Sequence, residues 1–291
     1  MPRRLLLPLA VVALLAGCGG DDGSVATPTS SASAPAPAPP VQIVLTPLDV
    51  RLVAPGEQPR AVLRHELRPG STSTGELTFA LDVEGVAGAE IVGPSTITVR
   101  AVDGNGTATA AYALEGLDVT SRGEGDAIPT AADALDITGE VVVTADRTAT
   151  SATVQTTSSG DIPGLDAVAG SLDPRLTSLL FPFPSEPIGP GAEWEIRGPL
   201  PFFGATVELE ALARLVSRSA EQFEIGIAVT LASPPAGSDI AIDLSGFGEI
   251  GGTTSGLVPR SGSIVATGGI VLPDRGPDPI PTTMELRIAG Q

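Results

Sequence analysis

From Val41 onward the chain alternates apolar and polar residues in short runs broken by Gly and Pro. Leu77, Phe79, Leu81 and Val83 fall on one side of an extended backbone, with Glu76, Thr78, Asp82 and Glu84 on the other. Val207, Leu209, Ala211, Ala213 and Leu215 repeat the pattern against Glu208, Glu210 and Arg214, and Phe223, Ile225, Ile227, Val229 and Leu231 make a third run. Ile240, Ile242 and Leu244 oppose Asp239 and Asp243; Met284, Leu286 and Ile288 oppose Glu285 and Arg287. A period of two is that of a strand, and apolar residues on one side only belong to an antiparallel sheet with one buried and one wet face. The pattern predicts a mainly β, antiparallel fold whose sheet is curved or partly closed, like a half-barrel.

Two hairpins can be placed. If Asn105-Gly106 is a two-residue turn, Val99 lies across from Tyr112 and Ile97 across from Leu114. Leu209–Leu215 and Phe223–Leu231 form the second. Each hairpin follows a turn-forming pair, Pro69-Gly70 or Pro190-Gly191, so two similar halves are an open possibility. One stretch reads as helical. Asp173 is a good cap, Pro174 suits the first helical position, and Leu176, Leu179 and Leu180 have helical spacing before Pro182 and Pro184 end the run. A helix this short among strands plugs the end of a sheet or barrel.

The next residues are the most distinctive in the domain: Phe181-Pro182-Phe183-Pro184-Ser185-Glu186-Pro187-Ile188-Gly189-Pro190-Gly191-Ala192-Glu193-Trp194. Glycines here provide a tight turn, and Trp194 with Ile196 starts a strand facing the core. With this motif the chain resembles a family of bacterial lipoproteins that share a Pro-rich segment, a Pro-Val-Gly-x-Gly-x-x-Trp type motif and a β-rich tail. This chain departs from it by Ile188 in place of Val and by Pro190. The motif covers about a dozen residues, although the layout fits most of Val41–Gln291, and the family brings no assigned activity.

Ahead of the alternating region the texture differs. Arg3 and Arg4 precede an apolar run from Leu5 to Leu15, followed by Ala16-Gly17-Cys18 and an abrupt change to Gly19-Gly20-Asp21-Asp22. A charged start, a short apolar core and small residues at a cleavage site make a secretory signal, too short for the ~20 residues of a membrane span. Leu15-Ala16-Gly17-Cys18 also resembles the lipobox of bacterial lipoproteins, which implies acylation of Cys18 and a new N-terminus there. Residues 1–17 are thus expected to be a signal peptide. Residues 18–40 are expected to be the lipidated cysteine and a disordered Ser/Thr/Ala/Pro linker, and residues 41–291 a β-rich extracytoplasmic domain. The Ala-Pro repeats ending at Pro40 favour extended geometry, a spacer of up to about 70 Å. The expected location is the outer face of the cell membrane, anchored through Cys18.

Charge and composition exclude much else. Cys18 is the only cysteine, so no internal disulfide is available. The formal charge is -18; without Arg3 and Arg4, 34 acidic residues face 14 basic ones, a net -20. Such a surface repels phosphate backbones, so nucleic acid is not an expected partner. The chain has no lysine, which removes Schiff-base chemistry, a phosphate loop ending in Gly-Lys and a Ser-x-x-Lys acyl transferase.

The remaining constellations are thin. Gly246-Phe247-Gly248-Glu249-Ile250-Gly251 has dinucleotide-loop spacing, but Gly252-Thr253-Thr254-Ser255-Gly256 cannot open the helix such a loop needs. The stretch reads instead as a twisted strand or bulged loop. Asp103-Gly104-Asn105-Gly106-Thr107 lacks the later ligands of a calcium loop, though weak binding by scattered carboxylates stays open. His65 is the sole histidine, so no ordinary zinc site can be assembled. On a strand reading His65 shares an apolar face with Leu63 and Leu67, as a core residue. Glu193 and Glu195 read as a solvated strand face. No catalytic residue, metal ligand or cofactor site is assigned.

Three classes of function remain. The first is a non-catalytic envelope binding module holding an envelope protein or cell-wall partner on its outer sheet face. The second is a carrier of lipid or another apolar ligand in a cavity between sheet and helix. The third, a hydrolase, has little support. A module packs its interior solid, whereas a carrier leaves an apolar cavity of several hundred Å3, on the order of a small-molecule pocket.

Overall fold

The computed structural model describes residues 41–122, 135–158, 175, 179–202, 205–233, 240–272 and 275–290. Cys18 and everything else before Val41 lie outside that set, as do Asp173, Pro174 and Leu176 of the expected helix and Asp239. The described chain is mainly strand, with almost no helix. It begins with β1 (Val41–Val44) and β2 (Asp49–Ala54). A first meander follows: β3 (Thr72–Val83), β4 (Ala87–Val102), β5 (Ala108–Arg122), β6 (Leu135–Val143) and β7 (Ala149–Ser158). A second comprises β8 (Glu193–Phe202), β9 (Ala205–Arg218), β10 (Gln222–Ala232), β11 (Ala241–Thr253), β12 (Ser261–Val271) and β13 (Ile280–Gly290). All pair antiparallel in one 13-stranded sheet of order β1-β7-β6-β5-β4-β3-β13-β12-β11-β10-β9-β8-β2. The two meanders meet where β3 pairs with β13, Leu77 opposite Ile288 and Phe79 opposite Leu286.

The connectivity requires this sheet to roll up. β1 and β2 occupy opposite edges, yet only residues 45–48 join them. Five backbone steps reach roughly 18 Å at most, whereas thirteen strands laid flat would hold their edges roughly 58 Å apart. The edges therefore come close without pairing, and the sheet is an open roll rather than a closed barrel. Its inner face carries the core, a single cluster drawn from every strand from β3 to β13.

Glycines mark the bends. A Cβ on Gly246 would lie 1.9 Å from the Val265 carbonyl oxygen, and one on Gly248 2.2 Å from that of Ser263. Both belong to the inward set of β11, with Ile242, Leu244 and Ile250. Inside the roll the β12 backbone comes too close for any side chain, a use of strand glycine typical of tight bends. The dinucleotide-like spacing is thus a bend in continuous strand, paired on both sides without a bulge.

Both predicted hairpins are present. In the second, Leu209 faces Leu231 and Leu215 faces Ile225, so its apolar faces coincide. The β4–β5 hairpin exists, but in a different register: Ile97 faces Tyr112 and Ser95 faces Leu114. Two causes act together. The turn is one residue longer than expected, closed by Asp103 N–H to the Thr107 carbonyl at 2.9 Å, with Gly106 at φ 82°. The Asp103 carboxylate accepts from the N–H groups of Asn105 and Thr107, fixing that longer loop. An irregularity between Val99 and Ala101 then adds one more residue of offset. An offset of two keeps every side chain on its predicted face, and Ile97, Val99, Tyr112 and Leu114 are all buried.

The chain between β2 and β3 is not a strand. It crosses the end of the roll, tied by an isolated bridge from Ala61 to Ile188 and by Gly70 N–H to the Val99 carbonyl. His65 and Glu66 bond two different loops, through their N–H groups to the carbonyls of Ala145 and Thr254. This corrects the strand expected around His65. The alternation nevertheless holds, with Leu63, His65 and Leu67 buried. Of the expected helix, Arg175 is helical, and Leu179, ahead of Pro182, is left-handed at φ 48°. Residues 179–184 are buried inside the roll. Trp194 begins β8 as read from its motif: it is buried beside Ile196 and donates from Nε1 to the Pro182 carbonyl at 3.2 Å.

Candidate functional site

Two places on the roll carry side chains that folding alone does not account for. One is on its outer face. Leu212 on β9 pairs with Ala228 on β10, Ala228 with Phe247 on β11, and Phe247 with Val265 on β12. These four form a straight cross-strand row on the wet side of the sheet, about 14 Å from end to end. Leu212 and Val265 are each 43% exposed and Phe247 is 76% exposed. Tyr112, Trp194 and Phe79, Phe181, Phe183, Phe202 and Phe223 are by contrast all buried. The bend at Gly246 and Gly248 explains the position: an inward fold makes the outer surface convex, and Phe247 stands on its crest.

Ion pairs bound the row. Its β8 end is Glu195, opposite Leu212 and bound by Arg51 through two contacts of 2.7 and 3.2 Å. Arg197 adds weaker contacts of 3.6 Å to Glu195 and 3.9 Å to Glu210. The Arg51 hydrogen bond above all, with the charges of Arg51 and Arg197, holds the Glu195 carboxyl below its ordinary range. At the β13 end Glu285, opposite Val265, pairs with Arg287. Small residues, Gly226 and Ser245 on neighbouring outward positions, leave the ring of Phe247 standing clear. The row is thus an apolar centre inside a charged rim.

The second place is at the plugged end of the roll. Arg147, in the β6–β7 turn, is buried at φ 67°, the left-handed conformation that Gly106 takes in the β4–β5 turn. Its guanidinium lies 5.4 Å from the Phe183 ring centre and 5.7 Å from that of Phe223. One terminal nitrogen donates to the Leu179 carbonyl at 3.0 Å and reaches the Leu257 carbonyl at 3.5 Å; Nε has no partner. Burial lowers its pKa to about 9. His65 stacks on Phe183 at 5.6 Å and meets Phe223 edge-on at 6.1 Å. Its Nδ1 lies 3.1 Å from the Thr254 carbonyl, so Nδ1 carries the proton, and its buried Nε2 has no partner. Burial first, then the charge of Arg147, push the His65 pKa well below its ordinary value, against the opposing effect of the Thr254 carbonyl.

Between these two places lies the apolar interior. A void of about 20 Å3, room for about one water molecule, is lined by Phe79, Phe181, Leu209, Val229, Met284 and other apolar side chains. Phe181 enters this space from the buried segment ahead of β8. Among the described residues no group of three His, Cys, Asp or Glu is placed to hold a metal ion.

Sequence reasoning reached His65 as a core residue and Glu195 as a strand-face residue, and the structure places both so. It passed over Phe247, whose outward parity was visible but whose exposure depends on the bend, and over Arg147, which sits in a turn with no pattern of its own. Cys18, the one site residue assigned from sequence, lies outside the described residues. Comparison with protein-family models, with curated proteins and with solved structures finds no match.

Proposed function

We propose that this chain is a non-catalytic envelope binding module, lipid-anchored through Cys18 on the extracytoplasmic face, that docks a protein on its outer sheet surface around Phe247. The observation that carries this reading is the exposed ring itself, centred in a four-strand apolar row with ion pairs at both ends. Moving a phenyl ring from water into a partner's pocket is worth about 1.5–3 kcal/mol, enough to make it the anchor of an interface. The net charge of -18 favours a partner whose pocket is rimmed by Arg or Lys. The void beneath Phe181, at about 20 Å3, is too small for an acyl chain, which at that place fits a module better than a carrier. The carrier reading keeps one supporting observation, that the lining of this void is wholly apolar.

The test is binding of the purified protein to envelope fractions of its host. Expected are saturable binding that weakens with salt, disappears when the envelope is protease-treated, and falls at least tenfold with Phe247→Ser. Binding that survives either protease or the Phe247→Ser change contradicts the proposal.

A further inference from the structure

We propose that Arg147 is the receptor of a buried oxyanion-binding site at the plugged end of the roll, taking a carboxylate or phosphate group. Among the described residues no carboxylate reaches its guanidinium, and the Asp146 carboxylate next to it is engaged by the Thr144 hydroxyl. A buried cation without a counter-ion costs several kcal/mol. Two ring faces and two carbonyls offset part of that cost, but the Nε–H is left without an acceptor in a site where water is scarce. The chain also holds Arg147 left-handed, a backbone conformation costing on the order of 1 kcal/mol for a residue with a side chain. A second buried nitrogen without a partner, Nε2 of His65, faces the same two phenyl rings; with the proton on Nδ1 it is an acceptor, open to the hydroxyl of a monoprotonated phosphate but not to a bare oxyanion. Strain and unmet polar capacity therefore concentrate in one cluster, and an oxyanion accepting from Nε–H relieves both the charge and the orphaned donor.

The route in is the segment that covers the cluster. Pro182 and Pro184 have no N–H to strand, so a shift of residues 181–184 breaks three bonds, from Phe181 N–H to the Leu179 carbonyl, Phe183 N–H to the Asp146 carbonyl and Trp194 to the Pro182 carbonyl. It also uncovers the buried Phe181 and Phe183, whose place the ligand must refill. Phe181, two residues from the Phe183 ring that lies against Arg147, lines the apolar void, so its displacement gives the first carbons of an alkyl tail a place. A free oxyanion enters by the same route and leaves Phe181 seated once bound. Trp194 is the only tryptophan and is bonded to this segment, so its emission reports which of the two binds.

The experiment titrates the full-length protein with dodecanoate, dodecanol, acetate and inorganic phosphate at constant ionic strength, following Trp194 emission and Tm. Wild type is compared with Arg147→Met and Arg147→Lys. The proposal expects dodecanoate to bind at least tenfold more tightly than dodecanol with a change in emission, or phosphate or acetate to raise Tm without one. The first outcome assigns an amphiphile and the second a free anion. In either case Arg147→Met reduces the preference to within twofold and Arg147→Lys keeps part of it. If Arg147→Met does not fold, the dodecanoate-to-dodecanol ratio and the phosphate-to-chloride comparison in wild type decide alone. Equal binding of acid and alcohol together with no effect of phosphate or acetate overturns the site.

Discussion

Replacing Gly246 with alanine tests whether the sheet bends where the outer row stands. In an ordinary strand this change stabilises by about 0.5–1 kcal/mol, because glycine loses the most backbone freedom on folding. At Gly246 the new Cβ would meet the Val265 oxygen at 1.9 Å, the Ala266 Cα at 2.5 Å and the Val265 carbonyl carbon at 2.7 Å. All three are backbone atoms of β12, so no side chain can turn aside. To restore ordinary contact β12 must retreat by roughly an ångström, which disturbs its ladder to β11. Overpacking of this kind costs about 1–3 kcal/mol, and each weakened ladder bond adds about 1 kcal/mol. A net loss of about 2–4 kcal/mol is expected, or roughly 4–16 °C in Tm for a domain of this size. Gly226→Ala on β10 is the internal control, since its Cβ would meet only a Val216 methyl at an ordinary 3.7 Å. Chemical denaturation of both variants should therefore give opposite signs. A Gly246→Ala protein within 0.5 kcal/mol of wild type, or equal effects at the two positions, refutes the bend.

Three further outcomes are expected, two from the geometry and one from the sequence. His65 is held neutral in the fold, so the unfolded chain binds more protons as pH falls below 6.5; stability should be full above that pH and decline beneath it until the lowered folded pKa is passed. Denaturation between pH 7 and 5 should show this slope in wild type and not in His65→Leu. Trp194→Phe removes the donor to the Pro182 carbonyl and leaves that buried oxygen unsatisfied, for a loss of about 1–3 kcal/mol by urea titration. Cys18→Ala should move the protein out of the membrane fraction, and unchanged retention contradicts the lipid anchor.

The fold was legible wherever apolar alternation ran unbroken. Leu209 to Leu215 and Phe223 to Leu231 could be read as a hairpin with one buried face, because burial on one face permits only one parity. The β4–β5 register was off by two, since the Asp103 side chain and the Val99/Ala101 irregularity act below the resolution of a hydrophobic pattern. His65 kept its buried side but not its strand, because its backbone bonds to loops far away in sequence. The site was less legible than the fold. Phe247 occupies an outward position like any other on β11, and only the bend made by distant β12 turns it into a crest. Arg147 was invisible for a similar reason: its burial comes from Phe183, Phe223 and two carbonyls, none of them neighbours along the chain.

The docking surface itself is tested most directly by placing a photo-crosslinking phenylalanine analogue at single positions and irradiating intact host cells. The positions are Leu212, Phe247 and Val265 on the row, and Val53 and Val216 as exposed apolar positions off it. The expected result is one adduct, to the same exported protein from all three row positions and absent from the other two, with the crosslinked peptide bordered by Arg or Lys. Equal adducts from row and off-row positions, or none from Phe247, contradict a docking surface centred there.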